Sequence, residues 1–155
     1  EILTKGMNVM DGYYNNPEAS NTVLSPDGWL HTGDLGVLDP DGYLYIKGRS
    51  KSLILGPSGQ NIYPEEIEDL LNAQPYIAES LVIEREGKLV ALVYPDAEAM
   101  KQNKISREAL LKIIHETRKQ INQQIPAYSQ IARIEIHDEE FEKTPKRSIK
   151  RFLYQ

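Results

Sequence analysis

Asp34 and Arg49 are the two side chains of this sequence whose types and spacing promise chemistry. Asp34 closes Thr32-Gly33-Asp34, and Arg49 lies fifteen positions later in Gly48-Arg49-Ser50-Lys51. A carboxylate in a tight turn accepts two hydrogen bonds at once, as the vicinal hydroxyls of a sugar require. A guanidinium offers a fixed fork of donors that bridges hydroxyl and phosphate oxygens. Each also has a plainer reading, Gly33-Asp34 as a turn and Arg49 as a surface ion-pair partner. A second cationic set, Lys143, Lys146, Arg147, Lys150 and Arg151, follows Glu135, Asp138, Glu139, Glu140 and Glu142 near the end of the chain. Such a run is either a solvated face or an anion-facing tail.

Elements must hold these groups in place. Turn chemistry at Asp27-Gly28 and Asp39-Pro40-Asp41-Gly42 separates short apolar runs at 29–31, 36–38 and 43–46, predicting a small antiparallel sheet. Residues 1–3 read as a strand already under way, and 12–18 as turn chemistry followed by a proline-fixed loop. Between 47 and 51 the pattern changes to alternating strands and helices. Residues 52–55 predict a strand and 56–59 a tight loop. Pro64-Glu65-Glu66 predicts a helix start, since proline lacks the unpaired N–H and carboxylates favour the positive end of the dipole. Residues 81–83 and 89–94 flank Glu86-Gly87-Lys88 as a hairpin. Ser106 caps the longest predicted helix, with Leu110, Ile113, Ile114, Thr117, Ile121 and Ile125 on one face and Pro126 as its stop. Ala132, Ile134 and Ile136 alternate as a half-buried strand. The expected class is α+β: a small antiparallel β segment, then a compact domain with a central antiparallel sheet and flanking helices.

Composition excludes several functions. The 155 residues carry 23 acidic and 18 basic side chains, a net charge of -5, which argues against a nucleic-acid partner. A hydrophobic content of 40% is that of a globular protein with a real core. The absence of Cys leaves no disulfide framework or thiolate metal site and suits a reducing, cytoplasmic setting. No apolar run approaches the roughly 20 residues that span a bilayer, which leaves peripheral membrane association of a longer parent open. His31, His115 and His137 have no partner at metal-ligand spacing, and no Gly-x-x-x-x-Gly-Lys phosphate loop is present.

Read in order, Trp29-Leu30-His31-Thr32-Gly33-Asp34-Leu35-Gly36 and then Gly48-Arg49 resemble the carboxyl-terminal portion of an adenylate-forming (AMP-binding) enzyme. That superfamily includes acyl-CoA synthetases, peptide-synthetase adenylation domains and luciferases. The run Leu55-Gly56-Pro57-Ser58-Gly59-Gln60-Asn61-Ile62-Tyr63-Pro64-Glu65-Glu66-Ile67-Glu68 is similar to the loop and helix that approach the active site for thioester formation. The resemblance implies that Asp34 holds the ATP ribose and that Arg49 contacts the nucleotide. Gly56, Gly59 and Asn61 would belong to the thioester-forming loop, where glycine suits backbone passing close to a ligand. Lys51 would be the hinge on which a small domain swings between adenylating and thioester-forming poses. Residues 1–47 are then the terminal β segment of a large, truncated N-terminal domain, 48–51 the hinge, and 52–155 the mobile C-terminal domain. The phosphate loop and acid pocket are expected upstream of Glu1.

The family ends on Thr-Pro-Thr-x-Lys-(Ile/Val/Leu)-x-Arg, its lysine contacting the carboxylate and α-phosphate oxygens. Thr144-Pro145-Lys146-Arg147-Ser148-Ile149-Lys150-Arg151 sets Ser148 at the lysine position. In an extended segment Lys146 and Lys150 share the face of Ser148; Lys150 is the first substitute and Lys146 the second. The implied reaction uses ATP, Mg²⁺ and CoA: acid and ATP give acyl-AMP and pyrophosphate, and the CoA thiol then displaces AMP. Lys51, the wording of 29–34 and Thr144-Pro145 look most like a long-chain fatty acid CoA ligase, whose carboxylic acid substrate is a fatty acid. The alternatives are an adenylating enzyme for an aryl or amino acid, with CoA or a carrier protein as acceptor, and a non-catalytic interaction module of the same fold. The 155 residues alone are expected to fold and to turn nothing over.

Overall fold

In the computed structural model, which describes all 155 residues, the chain divides into two units, Glu1–Lys51 and Ser52–Gln155. The first holds β1 (Leu3–Thr4), α1 (Pro17–Val23), β2 (Leu30–His31), β3 (Asp34–Leu38) and β4 (Leu44–Arg49). Turns organise it, and little of it is buried. Strand β1 pairs antiparallel with β2, and β3 with β4 across the turn at Asp39 to Gly42. Helix α1 stands where the sequence predicted only a loop. Asn16 caps it by accepting the Ala19 N–H, and Pro17 fills its first turn, where a missing N–H costs nothing. Strand β4 runs two residues beyond Lys47, the limit expected for the β segment.

The second unit contains β5 (Ile54–Leu55), β6 (Asn61–Ile62), α2 (Pro64–Asn72), β7 (Ile77–Arg85), β8 (Lys88–Pro95), α3 (Ala97–Gln102), α4 (Arg107–Gln124) and β9 (Ile131–Ile136). The strand predicted from Ser52 begins only at Ile54, because Ser50–Ser52 coil into a 3-10 turn. Strands β7 and β8 form the predicted hairpin. β9 then adds beside β8 in parallel, so the sheet is mixed where an antiparallel one was expected. The long connection through α3 and α4 supplies the crossover that a parallel neighbour needs.

Both faces of this sheet are covered. Helices α2 and α4 bury Ile67, Leu71, Leu110, Ile114 and Ile121 against Val82, Ala91 and Val93. Leu81, Ile83, Val90 and Leu92 point the other way, and Phe141, Ile149 and Tyr154 from the chain's tail pack on them. Two-sided burial explains the unbroken apolar run of β8, as period-2 alternation serves both layers. In β9 the predicted parity holds at Ile134 and Ile136 and fails at Ala132: Ile131 is the residue fully buried with the helices. The pairing slips by one residue between Ile131 and Arg133, which turns Ala132 out and leaves Ile134 and Ile136 packed on the core. No helix is long and apolar enough to cross a membrane.

Candidate functional site

Asp34 and Arg49 meet. They lie directly opposite each other on β3 and β4, and Arg49 Nη1 donates to Asp34 Oδ1 at 2.5 Å. A bulge decides this. Gly36 pairs with Ile46 but Leu35 pairs with Gly48, so the extra residue, Lys47, shifts the register by one. Without it Asp34 would face Gly48 and Arg49 would point from the other surface. Gly36 permits the close approach of the strands: a Cβ there would sit 2.9 Å from the Tyr45 carbonyl oxygen.

The Thr32-Gly33-Asp34 turn is tied on several sides, by Thr32 and His31 of the motif itself and by Glu1, which sequence reasoning did not single out. Thr32 Oγ1 donates to the Ile2 carbonyl at 2.8 Å and accepts the Asp34 N–H at 3.1 Å. Glu1 accepts the Gly33 N–H at 3.0 Å and meets His31 Nδ1 at 2.9 Å. The His31 hydrogen bond is the main reason the Glu1 carboxyl lies below its usual range. The Ser50 N–H closes the turn on the Gly33 carbonyl at 2.8 Å. A threonine before glycine is the local signal for this turn; the Glu1 contact has none. Beside it opens a cleft of about 540 Å³, whose lining includes His31, Thr32, Gly33, Arg49, Ser50 and Lys51.

Gly56, Gly59 and Asn61 lie together on the β5–β6 hairpin of the second unit. The Gly56 N–H reaches the Gln60 carbonyl at 2.8 Å, and the Gly59 N–H the Gly56 carbonyl at 2.9 Å. Gly59 has φ +80, which an L side chain rarely adopts. Gly56 has an ordinary φ, and a Cβ there would crowd Gln60 Oε1 at 3.3 Å. Asn61 pairs with Leu55 and is exposed. The loop borders a cavity of about 470 Å³ lined in part by Leu55, Pro57, Lys88, Leu89 and Tyr128. Gln60 Oε1 is buried with no hydrogen-bond partner.

The tail is not extended, which corrects the premise that placed Lys146, Ser148 and Lys150 on one face. The Arg147 N–H bonds to the Thr144 carbonyl at 2.8 Å, the Thr144 N–H to the Ser148 carbonyl at 2.9 Å, and Lys143 bridges Ile149 antiparallel. Arg147 takes φ +62 to complete the reversal. Lys146 therefore sits at an exposed turn tip, with Ser148 on the returning limb. The five tail cations divide accordingly. Lys143 pairs with Glu79 and Glu140, both at 2.6 Å, and Lys150 with Glu142 at 3.1 Å. Lys146 and Arg147 carry no ion pair. Arg151, which sequence reasoning left in the cluster, makes a bidentate contact with Glu68 of α2, Nη1 to Oε1 at 2.8 Å and Nη2 to Oε2 at 2.5 Å. Val82 N–H also donates to Glu68 Oε1, at 2.6 Å. Burial raises the Glu68 carboxyl above its usual range, while Arg151 pulls it back. No group of three His, Asp or Glu side chains is arranged to hold a metal ion.

The chain is similar to proteins of known family. Residues 51–154 match the family described as AMP-binding enzyme C-terminal domain. An indoleacetate–CoA ligase of Aromatoleum aromaticum is 50% identical over 97 residues, 60% of this chain and 19% of its own length. A 2-succinylbenzoate–CoA ligase of Bacillus cereus is 40% identical over 116 residues, 75% of this chain and 23% of its own length. The solved o-succinylbenzoate CoA synthetase of Bacillus subtilis, in complex with AMP, superposes with a TM-score of 0.72 at 30% identity, over 100% of this chain and 30% of that one. The chain thus spans about a fifth to a quarter of the curated relatives it matches.

Proposed function

The chain belongs to the AMP-binding enzyme C-terminal domain family of the adenylate-forming superfamily, and from that membership we propose that its parent is an ATP-dependent acid–CoA ligase. The observation that carries the proposal is the β3–β4 register, which sets an acceptor suited to ribose hydroxyls, Asp34, directly against a forked donor, Arg49, that lines the cleft. An exposed ion pair of this kind is worth about 0.2–1 kcal/mol, little enough to be exchanged for nucleotide contacts. Residues up to Arg49 then close the large domain, Lys51 is the hinge, and the second unit is the mobile domain.

In the first half-reaction the acid's carboxylate oxygen attacks the α-phosphorus of ATP and pyrophosphate leaves. Lys146, unpaired at the turn tip, supplies the positive charge that stabilises the oxygens gaining negative charge. It is put ahead of Lys150 because it stands at the exposed turn tip, while Lys150 lies half-buried on the returning limb beside Glu142. In the second half-reaction the loop carrying Gly56, Gly59 and Asn61 attends the CoA thiol as it displaces AMP.

The reading takes the substrate to be an aromatic carboxylic acid; it is supported by the two relatives, which carry indoleacetate and 2-succinylbenzoate in their names. The long-chain reading rests on Lys51 and on the wording of 29–34 and Thr144-Pro145, and neither relative supports it. The test is acid-dependent pyrophosphate and acyl-CoA production by the full-length parent with indoleacetate, 2-succinylbenzoate, and medium- and long-chain fatty acids. The expected result is a higher kcat/KM for an aromatic acid than for any fatty acid. The reverse order restores the fatty acid ligase, and turnover of no acid favours the non-catalytic module with Ser148 at its centre. The 155 residues alone should form no acyl-CoA.

A further inference from the structure

Arg151 is the one tail cation whose guanidinium is spread across a nearly buried carboxylate. Its partner belongs to the helix that follows the glycine loop: β6 ends at Ile62 and α2 begins at Pro64. On its other side Arg151 directly follows the returning limb of the tail turn, where Lys150 N–H bonds to the Glu142 carbonyl at 2.8 Å. Both oxygens of Glu68 are engaged, Oε1 by Arg151 and the Val82 N–H and Oε2 by Arg151. One oxygen of the neighbouring Glu65 is also buried, 3.5 Å separating its other oxygen from Arg151. Stability alone does not call for this arrangement, because apolar side chains of similar volume serve as well as a buried ion pair. What a bidentate pair adds is direction. Two parallel N–H···O bonds fix the guanidinium plane, and with it the chain on either side.

We propose that the Arg151–Glu68 pair is a positioning device that sets the tail turn, and Lys146 at its tip, in fixed register with α2 and the glycine loop ahead of it. The inference rests on the ligase reading above and deepens it. Arg151 touches no reacting atom; it acts through Lys146. Adenylation depends on where that turn stands, whereas the glycine loop is held by its own hairpin bonds and needs Arg151 far less.

The experiment uses the full-length parent and separates the half-reactions. Adenylation is read as acid-dependent exchange of pyrophosphate into ATP, and thioester formation as CoA-dependent release of AMP from preformed acyl-adenylate. Arg151→Gln is expected to lower kcat for exchange by about 100-fold, the scale of a roughly 1 Å misplacement, with KM for ATP unchanged. Thioester formation should stay within about threefold. Arg151→Lys keeps the charge but loses the fork, and should recover only part of the exchange rate. Should Arg151→Gln fold poorly, the pair Glu68→Met with Arg151→Leu removes both buried charges and keeps the packing; exchange should still be slow. Equal loss in both half-reactions, full recovery in Arg151→Lys, or normal exchange in the apolar pair overturns the proposal. A wild-type parent that exchanges pyrophosphate with no acid overturns the ligase reading, and this inference with it.

Discussion

Two arginine–carboxylate pairs, one in each unit, share their chemistry and differ in surroundings. Arg49 and Asp34 are 60% and 32% exposed, while Arg151 and Glu68 are 20% and 10% exposed. The first pair joins neighbouring strands, and its arginine lines a cleft; water competes for it, and so can a ligand. The second joins the tail to a helix 83 residues away in sequence and engages both carboxylate oxygens away from most water. Burial, not residue type, separates an exchangeable pair from a staple. A sequence motif that ends on arginine cannot say which of the two it encodes.

The comparison can be broken most directly by unfolding. Arg151→Ala strands the Glu68 carboxylate in the interior and is expected to cost about 3 kcal/mol in the chemical unfolding of the 155-residue chain. Asp34→Ala should cost less than about 1 kcal/mol in the same assay. Equal losses would erase the distinction. In nucleotide binding by the parent the order reverses: Asp34→Ala or Arg49→Ala should weaken ATP by about 10- to 100-fold, the worth of one charged hydrogen bond. Glycine substitutions sharpen the picture at a smaller scale. Gly59→Ala forces a left-handed backbone on a side chain, at about 1–2 kcal/mol. Gly56→Ala should cost less, because the Gln60 side chain that it crowds can move aside.

The smallest expected effect is the dependence on acid. Asp138, Glu140 and Glu116 lie below their usual 3.8, 4.5 and 4.5, held there chiefly by hydrogen bonds from Arg107, Lys143 and Lys119. Each binds fewer protons folded than unfolded, so its contribution is present above the unfolded value and lost as pH falls through the folded one. Glu68 has the opposite sign. Its folded value is raised, so the folded state holds the extra proton and its contribution is lost as pH rises through that value. Thermal midpoints should therefore drop as pH falls below about 4.5, and Glu68→Gln should flatten the curve just above that pH. Arg107→Ala should remove the share that belongs to Asp138.

Local chemistry made much of the second unit legible. Pro64 with two acids and Ser106 with its apolar face start α2 and α4 where they were expected, because caps and periodicity act within one or two turns. The same kind of signal, Asn16-Pro17 and Asp96, precedes α1 and α3. Those helices are too short to show a period, and they were missed. Asp34 and Arg49 were legible as residue types. That they face one another depends on the bulge at Lys47, and the parity of β9 on a slip between Ile131 and Arg133. The tail was misread for a related reason: Arg147, not a glycine, takes the left-handed conformation, so no local residue announces the reversal.

By itself the sequence determined which side chains could do chemistry, where the capped helices begin and that the chain forms an α+β fold, since these follow from side-chain type and near-neighbour backbone contacts. Tertiary structure alone decided which strands are neighbours, which face each arginine takes and how much water each keeps. Register and burial are set by residues distant in the chain, and a slip of one residue in either moves a side chain from core to cleft.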